Sequence, residues 1–437
     1  MDPLTVGILG IICLLVFLSL GVHIGVALGF VGFLGSSFIV GVDASMWGSV
    51  NARYYKLASF ELITVPLFVI MGFLASAGEL STNIFGTLRQ WIGNLRGGLG
   101  IATVFSCTIF GTICGSSLVT ASVFSMVAAP QMRKQGYDKR LAYGICASSG
   151  LIGMLIPPSI LMVVYGYLSG LSVGKLLVGG ITPGLLLTVL YSLTILTLVK
   201  LRPELIGSVP LPQATFRQKI LDLIKLWPIL IVALAIFVGI FGSVFNPTEA
   251  AAVATFVILI LLFYIKRSQS WGLLWSSIKD TGKTSAMIFL IMGSASIFSQ
   301  FLVLSGITEK VAEFIIGLGL SRWSFVIFIS IIYLVMGCFL DSISMLSITI
   351  PLFNPVLPKM GIDPFWYAMV VIMAIEIGMI TPPVGLCVYG AKAVAEPDVT
   401  LEDVFGGMMP FFWASMIALL IMIAFPQLSL ILPALMK

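Results

Sequence analysis

Long apolar runs follow one another along almost the whole of this 437-residue sequence, and most are long enough to cross a lipid bilayer. One crossing takes about 20 mostly apolar residues. Because 59% of the residues are hydrophobic and 9% are charged, the chain has more apolar surface than a soluble fold can bury. We therefore predict an all-α polytopic membrane protein embedded in the bilayer. The runs lie near residues 4–20, 22–42, 57–78, 142–169, 176–199, 227–245, 247–265, 285–304, 365–391 and 404–425.

Several classes of function lack the residues they need. The only histidine, His23, excludes a paired-histidine zinc site, and the six cysteines have no paired spacing. A glycine required for a phosphate-binding loop before Lys283 is replaced by Ser277. The net charge of +5 is not clustered with aromatic residues, so nucleic acid is not an expected partner. We predict neither an enzyme nor a transition-metal protein.

Two further apolar stretches, about 101–130 and 324–357, are interrupted near their centres by small and polar residues. The interruptions lie at 111–117 and 337–344, and neither stretch is long enough for two crossings. Cations flank the first stretch on both sides, at Arg96 and Arg133 for example, and Lys and Arg of short loops favour the cytoplasm. A hairpin that returns to its side of entry keeps more of these cations inside. We therefore predict two re-entrant hairpins.

The two halves of the sequence share a pattern at an offset of 225 residues. Pro157-Pro158 recurs as Pro382-Pro383. The same offset relates Ser117 to Ser342, Pro130 to Pro355, Gly136 to Gly361 and Asp138 to Asp363. Each half then contains five crossings and one hairpin, and an odd number of crossings inverts the second half, as in secondary transporters.

The predicted domains follow from this repeat. The first inverted repeat covers 1–200, with its hairpin and a broken helix over 142–169. A cytoplasmic linker with some interfacial helix covers 201–226. The second repeat covers 227–437, with its hairpin and a broken helix over 365–391. Segments 80–97 and 306–321 fit either amphipathic arms at the membrane interface or loops. The N-terminus lacks the cations of a secretory signal, so we expect the first helix to begin outside.

Each Pro-Pro pair falls inside an apolar run. Proline removes a backbone donor and clashes with the preceding turn, so both helices are expected to break inside the membrane. The freed carbonyls must then face a cavity or a ligand rather than lipid. Carbonyl and hydroxyl oxygens suit a monovalent cation such as Na⁺, and the N-termini of half-helices suit an anion. The alternative interpretation is a pair of proline kinks between packed helices.

Two ionisable residues lie at predicted membrane depth, where an unpartnered charge is costly. Asp341 fits either a cation ligand or a helix N-cap. Glu376 fits either a functional group or a structural pair. The glycine and serine residues of the hairpin tips fit either ligand binding or close helix packing. Glu249 fits the first turn of a helix that starts near Pro247.

The sequence resembles the large membrane subunit of tripartite ATP-independent periplasmic (TRAP) transporters over nearly its whole length. The motifs that carry the resemblance are Thr64-Val-Pro-Leu-Phe-Val-Ile-Met-Gly72, Leu95-Arg-Gly-Gly98, Cys114-Gly-Ser-Ser-Leu-Val-Thr120, Gly136-Tyr-Asp138, Leu155-Ile-Pro-Pro-Ser159, Phe339-Leu-Asp341, Gly361-Ile-Asp-Pro364 and Ile380-Thr-Pro-Pro-Val-Gly385. The resemblance implies a subunit of the bacterial inner membrane. It also implies two partners, a small four-helix membrane subunit and a periplasmic substrate-binding protein. Members with a fused small subunit carry additional N-terminal helices, so we expect a separate small chain here.

The resemblance further implies import of a small organic anion, a carboxylate or sulfonate, driven by Na⁺ through an elevator motion of the hairpins and broken helices. The candidate Na⁺-binding residues are Gly115, Ser116, Ser117, Ser149, Gly150, Gly153, Asp341, Ser342, Gly378 and Thr381. The candidate substrate-binding residues are Ser116, Thr120, Pro158, Ser159, Ser342, Ser344 and Pro383. The alternatives are an autonomous Na⁺/dicarboxylate-type symporter that needs no binding protein and a scaffold that transports nothing.

Overall fold

The computed structural model describes residues 2–207, 215–224, 226–242 and 244–436, and the regular structure in these residues is helical throughout. The first half contains α1 (Pro3–Ser19), α2 (Ile24–Val40), α3 (Val42–Leu57), α4 (Thr64–Ala77), α5 (Leu80–Ile92), α6 (Gly98–Cys114), α7 (Ser117–Val127), α8 (Ala129–Lys134), α9 (Lys139–Ser149), α10 (Ile152–Leu155), α11 (Ile160–Ser169), α12 (Val173–Gly179) and α13 (Ile181–Leu201). The second half contains α14 (Phe216–Ile224), α15 (Trp227–Phe241), α16 (Pro247–Lys266), α17 (Ser270–Leu304), α18 (Ile307–Gly317), α19 (Arg322–Gly337), α20 (Ser342–Phe353), α21 (Pro364–Gly378), α22 (Leu386–Ala393), α23 (Leu401–Ala424) and α24 (Gln427–Ala434).

Every apolar run traced in the sequence is helical, and the chain is a multi-pass membrane protein. By length and apolar composition, three described helical segments suffice to cross a membrane, or six if each sharply bent pair counts as one span. The three are 173–201, 247–304 and 401–424. Shorter apolar helices such as α1, with 17 residues, extend about 25 Å. The number of crossings therefore stays a prediction.

The helix pairs α6–α7 and α19–α20 each fold back on themselves. In the first pair, the rings of Phe110 and Phe124 lie 5.6 Å apart between centroids. In the second, the hydroxyls of Tyr333 and Thr349 are hydrogen-bonded. Residues 14 and 16 positions apart in one straight helix are about 21 and 24 Å apart, so both contacts require a tight turn between the helices. We call these pairs hairpin 1 and hairpin 2.

The same order of elements recurs around each hairpin. An apolar helix, a left-handed residue and a short amphipathic helix precede hairpin 1 as α4, Glu79 and α5, and precede hairpin 2 as the end of α17, Gly306 and α18. A long helix broken at the Pro-Pro pair then follows, as α9–α11 and as α21–α22. Segments 80–97 and 306–321 therefore contain helices. The inverted orientation of the two halves stays a prediction.

The linker and two helix starts can also be compared with the prediction. Helix α14 lies in the predicted linker, of which residues 208–214 and 225 lie outside the described part. Helix α16 begins with a capping box between Asn246 and Glu249, which confirms the helix-start interpretation of Glu249. The predicted runs include neither α3, which lies between the runs near 22–42 and 57–78, nor the N-terminal part of α17.

The two halves are interleaved rather than side by side. Helix α22 of the second half packs on α7 of hairpin 1, and α11 of the first half packs on α20 of hairpin 2. A Cβ added at Gly390 in α22 would lie 2.5 Å from the Leu118 side chain in α7. Each hairpin is therefore contacted by the far part of the other half's broken helix.

A second, smaller core is distinct from the main one and meets hairpin 2 through partly buried residues such as Ile343 and Leu352. It joins α1, α2 and the C-terminal part of α17 around buried residues such as Leu28, Phe298 and Phe301. A Cβ at Gly10 in α1 would lie 2.6 Å from the Phe301 ring, which shows how closely these helices approach. The main core instead contains both hairpins and both broken helices.

Candidate functional site

The tip of each hairpin is a turn that ends in a helix N-cap. In hairpin 1, Gly115 adopts a left-handed conformation (φ +62°), and the Ser116 hydroxyl accepts a hydrogen bond from the Val119 N–H at 3.4 Å. In hairpin 2, the Asp341 carboxylate accepts hydrogen bonds from the N–H groups of Ile343 and Ser344, at 3.1 and 3.2 Å. Ser116 and Asp341 occupy corresponding positions. Asp341 therefore has the N-cap role, one of the two roles that the sequence left open.

The broken helices are interrupted at the Pro-Pro pairs, and both pairs contain a cis peptide bond. The first helix bends by 44° between 139–155 and 160–169, and Ser159 caps α11 by accepting from the Met162 N–H at 3.3 Å. In the second, Thr381 donates to the Ile377 carbonyl at 2.7 Å. Residues 156–159 of the first break are all buried, whereas Pro382 and Pro383 of the second are exposed.

Each tip packs on its own break through a pair of glycines. A Cβ added at Gly111 would lie 2.7 Å from the Gly153 Cα, and a Cβ added at Gly337 would lie 2.6 Å from the Gly378 Cα. Real Cβ atoms do not approach other atoms this closely, so the backbones themselves are in contact. Gly153 and Gly378, both candidate Na⁺ residues, therefore have a packing role that the sequence did not reveal.

Hairpin 1 makes two more backbone contacts of this kind with the first broken helix. A Cβ at Gly115 would lie 2.6 Å from the Pro158 carbonyl oxygen, and one at Gly150 would lie 2.7 Å from the Ser117 carbonyl oxygen. The structure thus brings together four predicted site residues, two from the tip and two from the broken helix. Side chains larger than hydrogen have no room at either glycine.

Some candidate hydroxyls are already engaged in local hydrogen bonds. Thr120 donates to the Ser116 carbonyl at 2.8 Å, and Ser344 donates to the Asp341 carboxylate. Both serve the helix that follows the tip. Other buried hydroxyls have no hydrogen-bond partner within the described part of the chain, and these are Ser117, Ser148, Ser149 and Ser342.

Glu376 lies where the two tips approach each other. Its side chain is fully buried near the end of α21, and neither carboxylate oxygen has a hydrogen-bond partner among the described residues. The Ser117 and Ser342 side chains, one from each tip, are polar neighbours of this carboxylate. The carboxylate therefore has no cationic partner among the described residues, and the role of Glu376 stays a prediction. The polar centre of the fold consists of an acid and two hydroxyls.

A small cavity borders the turn of hairpin 1 at Cys114 and Ser116, which we call tip 1. It has a volume of about 60 Å³ and is lined by residues of α4, tip 1 and α11 together with Thr284 of α17. Ser116 lines it, and a Cβ at Gly72 in α4 would lie 2.8 Å from the Cys114 carbonyl oxygen. Tip 1 is therefore held between the broken helix and α4.

An ion-pair network joins the base of hairpin 1 to the second half. Arg133 pairs with Glu396 and with Asp398, the latter at 2.8 Å, and Lys139 pairs with Asp403 at 2.7 Å. The hydrogen bonds from Arg133 hold the pKa of the Asp398 carboxyl below its usual value. Sequence reasoning used these cations only for membrane orientation. The nearby run of acids was a signal that could have suggested their partners.

The chain matches one known protein family over nearly its whole length. Residues 11–428 match the model of the family described as "Tripartite ATP-independent periplasmic transporter, DctM component". The C4-dicarboxylate TRAP transporter large permease protein DctM of Pseudomonas aeruginosa is 31% identical over 86% of both chains. The isethionate permease protein DctMQ of Oleidesulfovibrio alaskensis is 29% identical, and the match covers 98% of this chain and 66% of that protein.

Solved structures resemble the fold at low sequence identity. The YdaH transporter of Alcanivorax borkumensis matches with a TM-score of 0.61 at 16% identity, over 89% of both chains. MtrF of Neisseria gonorrhoeae matches with a TM-score of 0.56 at 14% identity, over 88% of this chain and 84% of that one. These two similarities concern the fold alone.

Proposed function

The chain belongs to the DctM family of TRAP transporter large permease proteins, and on this premise we propose that it is the permease of a Na⁺-coupled importer of a small organic anion. The observation that carries the proposal is the group of buried, unpartnered oxygens at the two hairpin tips, beside two broken helices. Oxygen-rich, uncharged groups of this kind suit Na⁺. Proline kinks between packed helices have no need of such a group.

We place one Na⁺ at tip 1, with the backbone carbonyls of 149–153, and a second at tip 2, with the carbonyls of 378–381. The anion lies between them, near Ser116, Ser342 and the helix N-termini that follow the tips and the breaks. These N-termini carry partial positive charge. Two Na⁺ entering with one monoanion move one net positive charge, which gains about 2.3 kcal/mol per 100 mV of membrane potential.

The substrate is a carboxylate or a sulfonate. This proposal is supported by relatives named for C4-dicarboxylates, isethionate and sialic acid; two other relatives are named for ectoine. The proposed partners are a separate small four-helix membrane subunit and a periplasmic binding protein that delivers the anion. The proposed location is the bacterial inner membrane, with the N-terminus in the periplasm.

We propose an elevator motion in which the hairpins and broken helices move as one body. What supports it is the division of the buried residues into two cores, of which the smaller, formed by α1, α2 and part of α17, meets hairpin 2 through partly buried residues such as Ile343, Ile348 and Leu352. A body with its own core can slide against another without unfolding. In this arrangement, α4 and α17 form the surface that tip 1 slides along.

Uptake into proteoliposomes tests the proposal. The permease is reconstituted with its small subunit and binding protein, and radiolabelled succinate, isethionate and sialic acid are supplied as probes. We expect uptake of one probe under an inward Na⁺ gradient and none when choline replaces Na⁺. Equal uptake in choline would overturn Na⁺ coupling. Uptake without the binding protein would favour the autonomous symporter instead.

A further inference from the structure

Glu376 is the buried acid that the proposed transport cycle has not used. It is 0% exposed, and within the described residues both of its carboxylate oxygens lack a hydrogen-bond partner. A carboxylate removed from water with nothing to pair it is strongly destabilising. A bound cation that supplies the missing partner removes this cost.

The neighbours of Glu376 supply oxygen atoms and no positive charge. The hydroxyls of Ser117 and Ser342 are the polar neighbours of its carboxylate. The other titratable groups that interact with it are Cys387 on α22 and Tyr191 on α13. Tyr191 is already hydrogen-bonded to Ser415 at 2.6 Å. None of these groups is a cation.

The two serine hydroxyls add buried oxygen atoms to the carboxylate of Glu376. Each is the first residue of the helix after a tip, Ser117 in α7 and Ser342 in α20, and each hydroxyl is buried and unpartnered. Three side chains from two hairpins and one broken helix thus place buried oxygens close to one another. A carboxylate with two hydroxyls is a ligand set that suits a hard cation.

We propose that Glu376 is the charged ligand of the Na⁺ that we place at tip 2, and that this ion bridges the two hairpin tips through Ser117 and Ser342. The inference rests on the proposed function and adds to it a charged ligand, since the carbonyls and hydroxyls of the tips are neutral. A cation here neutralises the buried carboxylate and ties hairpin 1 to hairpin 2. Without the cation, the buried charge opposes the close approach of the tips.

The test compares thermal unfolding of the purified permease in NaCl and in choline chloride at equal ionic strength. Wild-type protein should unfold at a higher temperature in Na⁺. The E376Q variant removes the buried charge, so it should be more stable than wild type in choline. It should also need at least tenfold more Na⁺ for its half-maximal response. E313Q is the control, because Glu313 is exposed and paired with Lys310 at 2.8 Å, and its Na⁺ response should equal that of wild type.

An unchanged Na⁺ response in E376Q would overturn the inference, since it would mean a neutral, structural carboxyl group. If E376Q does not fold, E376D provides the measurement, because it keeps the charge and withdraws it by one methylene. We then expect a response that needs several-fold more Na⁺, and a wild-type response in E376D would overturn the inference. Absence of any Na⁺ effect on wild type would contradict the proposed function itself, so the two failures are distinguishable.

Discussion

The two tip–break pairs are built alike and enclosed differently. Both contain a glycine–glycine contact, a capped helix after the tip and a broken helix with the same Pro-Pro pair. The first break is completely buried, and the base of its hairpin is joined by ion pairs to the loop before α23. The second break exposes Pro382 and Pro383. The two halves therefore differ in the exposure of their breaks.

This comparison separates the features that the two halves share from the one in which they differ. The glycine contacts are the same in both halves to within 0.1 Å, so they belong to the architecture. The exposure of the breaks is not the same, although the Pro-Pro motif is. The exposure of each break therefore depends on how it packs against the rest of the chain, not on the Pro-Pro motif alone.

The largest effect is expected from filling the glycine contacts. G111A and G337A each place a Cβ within 2.7 Å of a backbone atom that cannot move aside. Overpacking of this kind costs about 1–3 kcal/mol, and both variants should lose uptake. G111A should lower the unfolding midpoint more, because the exposed second break can shift and the buried first break cannot.

The matched control is G282A in α17, where an added Cβ meets nothing within 4 Å. It should unfold at the wild-type temperature or slightly above it, since alanine favours helix. If G111A and G337A behave like G282A, the backbone contacts do not exist in the working protein.

A second effect should appear in chemical accessibility. On a background with the exposed Cys13 replaced by serine, S159C and T381C place one thiol at each break, and the remaining cysteines are buried. Thiol reactivity depends on exposure, so a water-soluble maleimide should label T381C at least about ten times faster. Equal labelling rates would contradict the enclosed first break and open second break.

The smallest effect concerns the two caps. D341A should lower the free energy of unfolding by about 1 kcal/mol, and D341N should not, because asparagine caps a helix as well as aspartate does. S116A should cost less than D341A, since Ser116 makes a single cap bond at 3.4 Å. If Asp341 also contributes its charge to Na⁺ binding, D341N should raise the Na⁺ concentration for half-maximal uptake several-fold. Unchanged Na⁺ activation would limit Asp341 to the cap.

Sequence reasoning succeeded where the signal was local. Apolar runs are helical because their length and composition decide the matter within a few residues, and the helices break where proline removes a donor. It did not find α3 or the start of α17, because Lys279, Asp280 and Lys283 make that start too polar to stand out as a membrane run.

The contacts that build the site could not be read from the chain. Gly111 and Gly153 are ordinary residues of a small-residue pattern until the fold brings them together. Glu376 differs from a paired acid only in what surrounds it, and its surroundings come from three distant segments. Repeat matching nevertheless pointed to Ser117 and Ser342, because a tip at the same position in both halves has the same neighbours.

The exchange of packing partners between the halves affects how the protein can be made. Leu118 packs against Gly390, which is synthesised 272 residues later. Until then, the face of α7 that contacts α22 lacks its protein partner. Chains are elongated at about 5–20 residues per second in cells, so this face lacks its partner helix for roughly 14 to 54 seconds. Lipid tails can cover this apolar face during that interval, whereas the polar centre can form only when translation is nearly complete.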